Sequence, residues 1–141
     1  MRPSSLTIAA AALLALEAIA LLVITLVEVF GLSSGDAASL PSALGLIGLS
    51  VVGAAGLAVL AVAVLRGRSF GRSGGMVAQI LAIAVALSAI GVRPFPAVFV
   101  LSLLIPAVLG VVMLFVLTRR AGAEARRHAD DSGQDSGAGQ G

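Results

Sequence analysis

Residues 42–65 and 95–118 are two long stretches without a single Asp, Glu, Lys, Arg or His. Two further apolar blocks, about 6–30 and 75–92, hold only Glu17 and Glu28 as formal charges. A helix needs about 20 apolar residues to cross the ~30 Å hydrocarbon core of a bilayer. Each block is therefore predicted to be a membrane-spanning helix. Barrel strands would alternate polar and apolar residues, and these blocks do not. A helix is the other structure that satisfies its own backbone in lipid. The expected fold is an all-α membrane protein, a four-transmembrane-helix bundle over residues 1–120 with a polar tail over 121–141.

Composition agrees. The chain is 59% hydrophobic and 11% charged, whereas soluble domains are about 25% charged. There is no Cys, which removes disulfides, thiolate chemistry and cysteine metal sites. The one His, His128, lies in the polar tail. No cofactor motif is present, and no His pair, Asp pair or Ser-Lys set points to an enzyme. The net charge is only +2, and the basic residues sit at the ends of the apolar blocks. They favour lipid headgroups over nucleic acid as a partner.

The arginines also set an orientation. With the N-terminus inside, Arg2, Arg66, Arg68, Arg72, Arg119, Arg120, Arg126 and Arg127 are cytoplasmic, and Arg93 alone is outside. The positive-inside rule then puts both termini in the cytoplasm of a bacterial plasma membrane. Arg66, Arg68, Arg72, Arg119 and Arg120 are candidate headgroup contacts. A cleaved signal peptide is the lesser reading of the first block. Its apolar run continues past the "AIA" at 18–20, and Glu17 interrupts it.

Small residues suggest how the helices meet. Gly45, Gly48, Gly53 and Gly56 form one stripe on the second helix, and Ala78, Ala82, Ala86 and Ala89 line the third. Such seams let backbones approach closely in lipid. They serve either packing inside the bundle, the favoured reading, or contact with a second copy or another partner. Pro106 is expected to bend the fourth helix. The end of the tail, Gly-rich and polar, is expected to be disordered. Its first part, "AGAEARRHADD", has the residues for a short extension of the fourth helix.

The polar groups inside the blocks are the candidate site. Glu17 lies roughly 17 Å into the first helix, near the middle of the core. An ionised carboxylate there costs about 2.5–3.5 kcal/mol, unless it finds donors or carries its proton. Ser50, Ser88 and Ser102 come from the other three helices at similar depth, so a central layer of one Glu and three Ser is one expectation. The other is that each Ser bonds its own helix. Glu28 shares a face with Glu17 and is level with Arg93, which makes Glu28–Arg93 a candidate ion pair. Separate snorkelling is its alternative. Gln79 is expected about one turn inside the third helix, bonding another helix or capping the Arg loop.

Taken together, Glu17-Ala18, the loop residues Arg66, Arg68, Phe70 and Arg72, and Gln79 resemble one group of proteins. These are small four-helix integral membrane proteins of high-GC Gram-positive bacteria. The resemblance extends over most of residues 6–118. Phe70 stands where that group has Trp, and Ala84 where it has a helix-three proline. The resemblance implies a fold and a location but brings no activity. Small multidrug resistance transporters are also similar in having four helices and an embedded Glu. Their helix-three Trp and usual Tyr are absent here, so they offer a mechanism to compare and nothing more. Two functions follow as expectations. One is an accessory or structural subunit packing with itself or a larger membrane complex, with Glu17 as a polar lock. The other is a small proton-coupled transporter using Glu17.

Overall fold

The computed structural model describes residues 3–33, 39–91, 93 and 97–138. Four helices hold nearly all of them: α1, Ser5–Ser33; α2, Leu40–Leu65; α3, Ser69–Ser88; and α4, Ala97–Ala138. A 3-10 turn, Ala89–Gly91, follows α3. All four helices are long and apolar enough to cross a membrane. No strand occurs among the described residues.

Each helix packs on two others, α1 on α2, α2 on α3, α3 on α4 and α4 on α1. Successive helices run antiparallel. The start of α1, the end of α2, the start of α3 and the far end of the membrane-length part of α4 therefore meet at one end, the arginine end. The buried core gathers there, with Ala10, Ala11, Leu14, Ala61, Val64, Leu114 and Leu117 in one cluster. The glycine stripe of α2 mostly faces outward. A side chain added at Gly45, Gly48 or Gly56 would meet nothing within 4 Å. Only Gly53 of that stripe is in contact, with Leu21. The expected glycine seam is thus mostly unpacked. The alanine seam of α3 turns inward, with Ala86 buried and Ala78, Ala82 and Ala89 half-buried.

Two boundaries differ from the sequence expectation. The Arg-rich loop shrinks to a turn, and α3 begins at Ser69 instead of Gly75. Gly67, at φ +67°, takes the left-handed conformation that ends a helix. The Arg68 N–H bonds Ala63 O and the Gly67 N–H bonds Val64 O, each at 3.0 Å. These two bonds form a Schellman cap. With α2 closed this way the chain reverses at once, and Arg72 starts life inside α3. Its Nη1 donates to Gly67 O at 3.0 Å and braces the turn.

The second difference is α4, which continues through Ala138, well past the short extension suggested for "AGAEARRHADD". Residues 119–127 are mostly Ala, Arg and Glu, which favour helix. A helix already formed propagates without a new nucleation cost. Pro106 lies inside α4, which runs on past it. Arg2, Val92 and Phe95, which fall within the expectations above, lie outside the described residues.

The outer surfaces of these helices are apolar. Only 17–28% of each membrane-length window is buried. Phe30, Leu49 and Val52 are about 70% exposed. Exposed greasy surface on this scale needs a cover other than water.

Candidate functional site: a polar pair across the bundle

Glu17 lies twelve residues after the start of α1, and Gln79 ten residues after the start of α3. At 1.5 Å per residue they stand roughly 18 and 15 Å from the arginine end. They face each other across the diagonal of the bundle. Gln79 Nε2 donates to Glu17 Oε2 at 2.6 Å. Gln79 is completely buried, and Glu17 is half-buried.

The seat of Gln79 is built from glycines. Gly71, Gly75 and Gln79 repeat every four residues along the inward face of α3, and all three are buried. Opposite, α4 presents Gly110. A Cβ at Gly110 would stand 2.6 Å from Gln79 Cδ and 3.0 Å from its Nε2. The amide thus occupies the space that a side chain on α4 would need. At Gly75 an added Cβ would stand 2.9 Å from Leu114 Cδ1. The whole of this level is closely filled. Gln79 Oε1 is buried with no hydrogen-bond partner, so the amide uses one of its two polar ends.

The expected serine layer does not assemble. Ser88 Oγ donates to Val85 O at 2.8 Å and Ser102 Oγ to Phe99 O at 3.0 Å, each within its own helix, and both are exposed. Ser50 is half-buried and makes no hydrogen bond to Glu17. Local carbonyls satisfy the Ser88 and Ser102 hydroxyls without help from another helix.

Glu28 and Arg93 do not pair. Glu28 Oε2 is buried with no hydrogen-bond partner among the described residues, while Arg93 is exposed.

The remaining arginines crowd one end. Arg66 and Arg68 are exposed at the α2–α3 turn, and Arg120 is exposed where α4 leaves the bundle. Arg119 stacks over the Phe115 ring at 5.5 Å, a cation–π contact.

Sequence reasoning named both members of the central pair but did not join them, and it missed Gly110. One signal was available. The chain has no Asn, and Gln79 is its only Gln before the tail. A lone amide and a lone mid-helix carboxylate have few other partners of their kind. Among the described residues no group of three or more His, Cys, Asp and Glu gathers in one place. No protein-family model, no curated protein and no solved structure matches this chain.

Proposed function

We propose that the chain is a multi-pass protein of a bacterial plasma membrane, with both termini cytoplasmic. It acts there as an accessory or structural subunit that packs with itself or within a larger membrane complex. Four membrane-length helices support the location, and the arginines gathered at one end support the orientation. The group it resembles, small four-helix membrane proteins of high-GC Gram-positive bacteria, agrees with both. The observation that carries the role is the Glu17–Gln79 bond. It ties α1 to α3 across the diagonal, where the backbones share little contact, and it consumes the one carboxylate at mid-helix depth. A polar lock of this kind fixes one helix arrangement.

One observation favours a second reading, a small proton-coupled transporter. Gln79 Oε1 is a buried acceptor without a donor, in the same amide that already serves Glu17. A proton on Glu17 would supply that donor, so the pair has two states to move between. Transport paths usually need more than one ionisable group, which ranks this reading second.

Glu17→Gln separates them. The variant retains an acceptor for Gln79 Nε2 and cannot cycle a proton. The subunit reading expects wild-type accumulation in the membrane and wild-type copurification of partners. Proton-linked efflux of small apolar cations that depends on Glu17, and is lost in a folded E17Q, would replace it with the transporter.

A further inference from the structure

A groove of about 650 Å³ runs along the outside of the bundle between α1 and α2. Its floor is Ala11, Ala18, Ala54 and Ala61, all buried. It extends from Ile8 and Leu65 at the arginine end to Leu22 and Val51. That is fourteen residues along each helix, roughly 21 Å, somewhat more than one ~15 Å leaflet of the hydrocarbon core. Every lining side chain is Ala, Val, Leu or Ile.

The arginine end of this groove is polar. On α2 the wall passes through Ala58, Val62 and Leu65. Arg66 is one turn beyond Val62, and its N–H bonds Val62 O at 3.0 Å, so the helical register continues through it. Its Cβ therefore continues the wall. On α1, Ser5 stands one turn before Ile8 on the same stripe. Arg66 is exposed and has no ion-pair partner among the described residues, unlike Arg72 and Arg119, which are engaged with the chain.

We infer that the groove is a binding site for one anionic phospholipid. An acyl chain lies on the alanine floor, and the headgroup phosphate meets Arg66 and the Ser5 hydroxyl. Length, apolar lining and a cation at one end match that ligand together. The volume is in the range of small-molecule sites, about 300–1,000 Å³. A helix from a second copy fits less well. At about 10 Å diameter, 21 Å of helix encloses roughly 1,600 Å³, so it would enter only by its edge. The site rests on the membrane reading of the chain.

The test uses the full chain, delipidated in detergent, with phosphatidylglycerol or phosphatidylcholine added and retained lipid counted by native mass spectrometry. The wild type is expected to hold one phosphatidylglycerol per chain in preference to phosphatidylcholine. Arg66→Gln reduces that preference about fivefold, the weight of one basic residue near a membrane surface. Ala58→Phe fills the groove from an exposed wall position and abolishes retention of both lipids. Ala12→Phe, on the opposite wall, does the same if Ala58→Phe fails to fold. Equal retention of the two lipids, indifference to R66Q, or a dimer that A58F dissociates would each overturn the proposal. A chain that stays soluble without detergent would instead overturn the membrane reading beneath it.

Discussion

The Gln79 amide has two polar ends and one partner. Nε2 serves Glu17, and Oε1 is buried alone. Removing Glu17 leaves both ends unsatisfied, which costs about 1–3 kcal/mol for a buried polar group. Replacing both members by apolar residues of similar shape removes the unmet need along with the bond. Glu17→Leu is therefore expected to lower stability in detergent unfolding, and the E17L/Q79L double variant to recover part of the loss. The coupling should be about 1 kcal/mol, the scale of side-chain bonds between helices in lipid. Losses that simply add would show that the bond contributes nothing. Gly110 gives a second test of the same contact. Gly110→Ala puts a methyl 2.6 Å from Gln79 Cδ and should displace the amide, with a loss comparable to E17L. In a Q79A background the space is free, and G110A should then be nearly neutral by the same unfolding measurement.

Between elements, α2 and α3 approach closely just past their turn. An added Cβ at Gly71 would stand 2.5 Å from Val64 N and 2.6 Å from Ala63 C, both backbone atoms. At Gly74 the nearest atom, Leu60 Cδ2 at 2.6 Å, is the end of a flexible side chain. Gly71→Ala must push two helices apart, an overpacking cost of about 1–3 kcal/mol. Gly74→Ala needs only a rotamer change. The ranking G71A worse than G74A is expected in thermal unfolding, and the reverse would mean that the helices separate easily here. These same glycines limited the reading from sequence. The four helices were legible, because long charge-free runs leave no other fold. Gly71 and Gly74 beside three arginines read as loop, yet both lie in α3 and pack against α2. Starting α3 six residues late moves Gln79 roughly 9 Å toward the helix end, which hides its match in depth with Glu17. Helix rotation was legible only in α3, where the alanine seam turns inward. Helices that are apolar on every side have no polar face to mark outside from inside. The serine layer and the glycine stripe were both inferences about rotation, and the packing differs at each.

At the scale of the whole molecule, position along the bundle sorts charge from chemistry. The core cluster and Arg66, Arg68, Arg72, Arg119 and Arg120 share one end. Glu28 and Arg93 belong to the other, and the Glu17–Gln79 pair lies between. On the proposed membrane reading, an even number of crossings would put both termini on one side of a bilayer, and the arginine excess would place that side in the cytoplasm. The chain has no Cys, so one introduced thiol reports its own location without background. Ser39 and Ser69 are both exposed, just outside the start of α2 and at the start of α3. They stand at opposite ends of the second crossing, so the two positions must report opposite compartments if α2 spans the membrane. With S39C, a membrane-impermeant maleimide should label intact cells. With S69C it should label only after the membrane is opened. Exchange of the two results would invert the orientation and put the arginine cluster outside. Labelling of both from outside would mean that α2 does not cross, and the four-span reading would fall with it.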